Sequence, residues 1–438
     1  MMAYAIGVLV LIVGVLVSIA LHEVGHMVPA KKFGVRVSQY MVGFGPTLWS
    51  RTRGETEYGV KAIPLGGYVR LIGMYPTPEA VGNPPVRGWF SRIAAEAREA
   101  SAEEIRPGED HRAFYRLSTP KKLIVMLGGP VMNLVIAVVL LGVVYVGIGM
   151  PQSSTTLASV SECVLPAGST ATSCSADDPQ SPGAAAGLEP GDRIVSYDGQ
   201  AISSWDQVSG LIRQDAGRTV PVVVERNGEQ VTLQLTPVAA ERPQVDDQGQ
   251  VVTDADGDPV YTEVGFVGIS PADELVRQPV SEALGVTAQA TWETAKAVAT
   301  LPVTVVNTVS SAFGGGERDP NGVISLVGVG QIAGQIGGSD AAGFSIAERV
   351  ASMLSLLASL NLALFAFNLI PLVPLDGGHV AAAMWEGIKR QTARLRHLPR
   401  PRPADAARLQ PVALGVFVLL GGMSVVLMLA DIVNPITG

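Results

Sequence analysis

The stretch "YAIGVLVLIVGVLVSIALHEVGHMV", residues 4–28, decides how this chain is built. Residues 4–21 contain no charged side chain, and an apolar run of that length makes a helix able to cross a bilayer. His22, Glu23 and His26 follow at once. Titratable groups at the end of such a run are costly to keep, which marks them as functional. No basic segment introduces the run and no small-residue cleavage site precedes the histidines. It therefore reads as a retained helix and not as a secretory signal.

Working outward, three more apolar runs, near residues 122–149, 350–372 and 411–433, reach or approach membrane length. A hydrophobic content of 47% and a mean hydropathy of +0.33 over 438 residues argue against an ordinary soluble enzyme. The segments between the runs alternate in charge. Lys and Arg outnumber Asp and Glu by 15 to 9 in residues 31–122 and by 7 to 2 in 380–410, whereas acids lead by 24 to 8 in 150–345. Cytoplasmic loops carry the basic excess, so the first and third segments are expected inside and the long acidic one outside. Cys163 and Cys174 both fall in that outer segment, where a disulfide between them is expected. Two thiols exclude a multi-thiolate zinc or iron–sulfur site, and no basic helix with interleaved aromatics points to nucleic acid.

The spacing H-E-x-x-H has a geometric meaning. Positions i and i+4 share one helix face, so His22 and His26 can grip one Zn²⁺ while Glu23 serves as general base toward an activated water. A catalytic zinc needs a third protein ligand and an open position. His111 sits in a charged loop; the better source is "NLIPLVPLDGGH", residues 368–379. Asp376 is the only charge at the end of the third run, and by the loop charges that run ends on the same side of the membrane as the first. His22, His26 and Asp376 are thus expected at one depth, with His379 as the rival ligand. Asn133 and Asn368 are polar groups in apolar runs. Each either bonds a neighbouring helix or holds a substrate backbone beside the metal.

The sequence predicts a polytopic α-helical membrane protein with about four transmembrane helices. Its expected parts are a first helix over 1–30 and a membrane-associated β-hairpin region over 31–75, where β-branched and aromatic residues alternate with polar ones. A cytoplasmic loop over 76–120, a second helix over 121–150 and a linker holding the cysteines over 151–181 come next. A compact α+β unit is expected over 182–239, with a hairpin turning at Asn227-Gly228. Residues 240–345 read as an acidic outer loop, in which "DADGD" (254–258) is a solvated turn, and an interfacial helix over 276–312. The third helix, carrying "LDGGH", is placed at 346–379, a basic cytoplasmic loop at 380–410 and the last helix at 411–438.

Taken together, "HEVGH", "GGYV" (66–69), "GGPVMN" (128–133), "GAAAGLEPGDRIVSYDGQ" (183–200) and "NLIPLVPLDGGH" resemble the site-2 protease family of intramembrane zinc metalloproteases, in its bacterial branch with a PDZ domain. The resemblance covers most of the chain. It departs at Val373, where a proline is usual, and at Val323. It implies Zn²⁺ on His22, His26 and Asp376, Glu23 as base, and Asn368 as a substrate contact. It also implies that the strand around Gly66 and Gly67 pairs with unwound substrate, and that one PDZ-like domain lies outside the cell. The "GLEPGD" turn, Gly187 to Asp192, is the candidate rim for a bound chain end. The implied setting is the bacterial plasma membrane, with the active site toward the cytoplasm. The implied substrates are single-pass membrane proteins such as anti-sigma factors, first cut by another protease. Two rivals make other expectations. A zinc or proton transporter needs more buried acids or histidines along a path. A membrane-anchored PDZ scaffold with structural zinc needs a fourth ligand.

Overall fold

The computed structural model describes residues 2–165, 173–175, 178–244, 251–254, 259–314, 324–338, 345–399 and 401–433. The chain divides into two units, Met1–Ile148 with Gln278–Gly438, and Gly149–Arg277.

The first unit opens with α1 (Met2–Lys32), which carries the H-E-x-x-H residues in its last third. Next come two long antiparallel strands, β1 (Val37–Arg53) and β2 (Thr56–Leu71), over the segment expected to be β-rich. Both fold back on themselves. Tyr40 pairs with Val69 on one side and Tyr58 on the other, so the 37–42 segment lies between 67–71 and 57–60. Among the described residues the outer edge of 67–71 pairs with no further strand. The Tyr40 hydroxyl donates to the Ala20 carbonyl at 2.7 Å, which fastens this sheet to α1 two residues before His22.

A single turn, α2 (Pro78–Val81), and α3 (Gly88–Glu103) occupy the first charged loop. Then α4 (Thr119–Gly142) runs on as a wider turn to Ile148. Its crossing with α1 depends on two glycines. A β-carbon on Gly25 would lie 2.3 Å from the Gly128 carbonyl oxygen, and one on Gly128 would lie 2.0 Å from that of Gly25. Only bare backbones approach this closely, a packing typical of helices in lipid.

The second unit contains β3 (Met150–Val160), the turn α5 (Pro182–Ala185), β4 (Arg193–Tyr197), β5 (Gln200–Ala201), α6 (Trp205–Gln214), β6 (Val220–Arg226) and β7 (Glu229–Leu235). It ends with β8 (Val238–Pro243), β9 (Tyr261–Phe266) and β10 (Ile269–Val276). The main sheet has the order β10-β3-β4-β6-β7, and β8 pairs with β9 apart from it. Alternation in "VPVVVER" puts Val220, Val222 and Val224 on the core face with Tyr197, Val208 and Leu157. Asn227 and Gly228, both at positive φ, make the expected tight turn between β6 and β7. Cys163 and Cys174 form a disulfide.

This unit is wider than the 182–239 expected from sequence. The Ser/Thr-rich segment read as a linker contains β3, whose strand character comes from pairing with β10 far along the chain and not from its own composition. The Gly187–Asp192 turn also departs from expectation, because its amides are already used. Gly187 and Leu188 donate to Ala184 and Gly183, Gly191 to Leu157, and Asp192 to Glu189. The Glu189 amide donates to the Asp192 carboxylate, which Arg226 grips through two bonds of 2.7 Å. Burial pushes the Asp192 carboxyl upward, but these bonds outweigh it and hold the group below its ordinary range. A turn closed on itself has no N–H to offer a chain end. Of the "DADGD" turn, residues 255–258 lie outside the described residues.

The first unit resumes with α7 (Val280–Gly314), α8 (Leu326–Gly338), α9 (Ile346–Asn368), α10 (Asp376–Leu395) and α11 (Gln410–Val433). The helix expected over 276–312 exists as α7, packed on α4, α9 and α11. The third apolar run ends at Asn368, short of the expected 379, because Pro371 and Pro374 cannot continue a helix. Asp376 instead opens α10, a helix inside what reads as a basic loop. Leu11 of α1 packs with Val329 and Ala333 of α8 and Met353 and Leu357 of α9. A polar bolt joins α9 to α1, where the Asn361 amide donates to Ser18 at 3.0 Å. Among the described residues four helical segments are long and apolar enough to span a membrane, Met2–Lys32, Thr119–Ile148, Ile346–Asn368 and Ala406–Ile432. Leu9, Val13 and Val17 on α1 and Phe417, Val418 and Leu419 on α11 are 52–67% exposed, a surface suited to lipid and not to water.

Candidate metal centre

Helical spacing puts His22 and His26 one above the other on the face of α1 that meets α4 and the start of α10. Their Nε2 atoms lie 3.2 Å apart, and Asp376 Oδ2 lies 3.4 Å from the first and 3.3 Å from the second. A tetrahedral zinc with bonds of about 2.0–2.1 Å has ligand-to-ligand edges of about 3.3 Å. The triangle therefore has the size that zinc requires. Asp376 Oδ2 is buried without a hydrogen-bond donor, as an oxygen reserved for a cation would be.

The surroundings fix the ligands. His26 Nδ1 donates to the Val125 carbonyl at 2.7 Å, which leaves Nε2 bare for metal. The Asn133 amide, wholly buried, sits 3.1 Å from His22 Nδ1. A zinc held by Nε2 would put the His22 proton on Nδ1, where the amide, turned to present the Oδ1 that otherwise has no partner, would accept it. The Asn133 side chain thus faces His22 across the α1–α4 crossing. Asn133→Ala is expected to weaken zinc binding by about 10–100-fold, the usual cost of losing such a partner, as measured by chelator competition.

Sequence reasoning missed Gly129. A β-carbon there would stand 2.2 Å from His26 Nε2 and 2.7 Å from His22 Nε2. Its glycine keeps the open side of the triangle clear, and the only signal was a Gly-Gly pair in an apolar run. Gly67 plays a similar part toward the base. A β-carbon on it would lie 3.3 Å from Glu23 Cγ, so the edge segment of β2 passes directly over Glu23, itself 8% exposed. Gly66, at positive φ, makes the kink that brings the strand there. Asn368 ends α9, half-buried, and among the described residues its side chain makes no hydrogen bond. His379, the rival ligand, is outside the cluster and faces the Tyr75 ring at 6.4 Å. Among the described residues no other group of histidines, cysteines or acids has metal-binding spacing, and this one stops at three. Held by these three groups alone, a tetrahedral zinc would keep its fourth position open, as catalysis requires and a structural site does not.

Relatives carry the same reading. The profile of Peptidase family M50 matches residues 10–398. The chain is similar to the zinc metalloprotease Rip1 of Mycobacterium tuberculosis, 35% identical over 438 residues and covering 99% of each chain. It is similar to Rip1 of Mycolicibacterium smegmatis, at 32% over 451 residues with 100% and 99% covered. It also resembles the metalloprotease MmpA of Caulobacter vibrioides, at 28% over 404 residues with 89% of each covered. With its membrane-length helices, its zinc-sized triangle of histidine and aspartate side chains and a buried glutamate beside it, the chain belongs to peptidase family M50 and is an intramembrane zinc metalloprotease.

Proposed function

We propose that this protease cuts within or beside the membrane segment of single-pass proteins, anti-sigma-factor-like in kind, after another protease has removed most of their outer part. The observation that carries the proposal is the open edge of residues 67–71 lying over Glu23. A helical substrate hides its carbonyls in its own hydrogen bonds, so it must unwind before it can be cut. The open edge offers replacement pairing to the unwound strand, which spares its polar groups from lipid. The amide of Asn368, which among the described residues makes no side-chain hydrogen bond, supplies a second contact. Zinc, when bound, polarises the scissile carbonyl and activates water. Glu23 takes the proton from that water and passes it to the leaving nitrogen. His26, held through Val125, and His22, held through Asn133, keep their Nε2 atoms aimed without reorganisation.

The alternating loop charges support an arrangement with residues 31–118 and 369–405 in the bacterial cytoplasm and Gly149–Arg277 outside. The outer unit is PDZ-like in its strand and helix order. Its peptide groove belongs between α6 and residues 264–269, where Trp205, Ile212, Val267 and Ile269 line an apolar hollow of about 330 Å³. Among the described residues the Val267 and Gly268 amides donate to no backbone carbonyl, unlike those of the Gly187–Asp192 turn.

The test reconstitutes the chain with zinc in proteoliposomes. A single-pass anti-sigma-factor-like protein is supplied with its outer domain intact or truncated. Only the truncated form is expected to release a cytoplasmic fragment. Equal cutting of both forms overturns the requirement for a prior cut, and cutting of neither, with zinc bound, overturns the substrate class.

A further inference from the structure

The helix that opens with Asp376 has an outer face that the zinc chemistry leaves unexplained. Ala383, Glu386 and Ala393 of α10 are buried, and Glu386 pairs with Lys122 of α4 at 2.9 Å. A β-carbon on Gly387 would lie 2.9 Å from Thr119. Thr119 and Lys122 belong to the first turn of a membrane-spanning segment, so α10 is held at the level where that span begins. Both of its ends are tethered at that level too, since the span of α9 stops at Asn368 and the next starts at Ala406.

Opposite the buried face, Met384, Trp385, Ile388 and Leu395 are 54%, 59%, 56% and 71% exposed. At about 100° per residue, Met384, Ile388 and Leu395 fall within about 40° of one another, and Trp385 lies about 60° to one side of them. Cations flank this stripe on both sides. Among the described residues Lys389, Arg394 and Arg396 form no ion pair, although Arg390 and Arg408 find Glu386 and Asp405. Trp385 and Lys389 also join Arg402 and Arg408 around a hollow of about 680 Å³. On neighbouring α3, Trp89 and Phe90 are 56% and 66% exposed, and Arg98 ties that helix to Asp405 at 3.1 Å.

An exposed apolar stripe with unpaired cations at its margins, anchored beside span ends, has the composition of a helix lying in a lipid–water interface. Aromatic residues at that level act as anchors, and each Lys or Arg near an anionic surface adds about fivefold to its attraction. From this arrangement we infer that α10 is seated in the bilayer surface, its stripe among the acyl chains and its cations on anionic lipid headgroups. Because Asp376 is its first residue, that seating holds the third ligand against His22 and His26. Anionic lipid is thereby a structural partner of the metal centre. The inference rests on the spans of α9 and α11 and not on the choice of substrate.

The full chain is tested in nanodiscs. Both native cysteines are in the disulfide, so Ile388→Cys gives a single free thiol for an environment-sensitive fluorophore. Blue-shifted emission is expected, quenched by brominated phosphatidylglycerol at low mole fraction and not by aqueous iodide. Lys389→Gln with Arg394→Gln should raise the fraction needed by about fivefold for each cation lost. Zinc loss to a chelator should be slower with phosphatidylglycerol than with phosphatidylcholine alone, and the double variant should lose that difference. Quenching by iodide overturns the proposal in favour of a solvated face. Cross-linking between copies through the introduced thiol, with no lipid quenching, overturns it in favour of a dimer surface. Equal quenching by brominated phosphatidylcholine overturns the headgroup preference, and lipid-independent zinc loss overturns the link to Asp376.

Discussion

Glu23→Gln is expected to abolish hydrolysis while leaving zinc in place. The amide matches the carboxylate in shape and fits the same pocket under the β2 edge, where Gly67 closes over it. It cannot accept a proton, however, and loss of a positioned general base costs about 10²- to 10⁴-fold in rate. None of the three ligand atoms belongs to Glu23, so zinc content should equal that of the wild type. The measurement is initial cleavage rate alongside metal stoichiometry on the same preparation. A variant that still cuts at the wild-type rate shows that another group is the base. A variant without zinc shows that Glu23 holds the site together, and its lost activity then says nothing of proton transfer.

The second large effect is expected from a single methyl group. Gly129→Ala improves helix propensity by about 1 kcal/mol, so α4 should persist. Its new β-carbon nevertheless falls 2.2 Å from His26 Nε2, and the imidazole must swing away. That motion breaks the 3.2–3.4 Å triangle and the bond from His26 to Val125. Zinc affinity should drop by more than the roughly 10–100-fold that follows loss of an outer partner. Circular dichroism and size-exclusion profiles should match the wild type. Retained zinc affinity in a folded protein would mean that the open side of the triangle has more room than the structure gives it.

How much of this was legible in advance differs by residue. His22, Glu23 and His26 are close in sequence and obey helical spacing, so a local rule is enough to find them. Asp376 was selected by matching the loop charges, and its carboxylate lies 3.3–3.4 Å from both histidines. The helix after it was hidden because its apolar and basic residues read as a loop between spans. The strand β3 was hidden for a related reason, since its Ser and Thr residues acquire strand character only beside β10. Asn133 was legible as unusual but not in its role. A polar side chain in an apolar run serves substrate or ligand depending on what stands 3 Å away, and that neighbour lies on another helix.

The sequence by itself determined the four apolar runs, the alternating charge of the segments between them, the H-E-x-x-H spacing and the cysteine pair, because each depends on composition or on short, periodic spacing. The tertiary structure alone decided which glycines guard the zinc triangle, which edge of β2 passes over Glu23, where unit two leaves free amides and which face of α10 is bare. Those features depend on close approach between segments far apart in the chain. Distances of 2–4 Å set by helix crossings and strand pairing are not encoded in any one segment, so they become readable only when the segments meet.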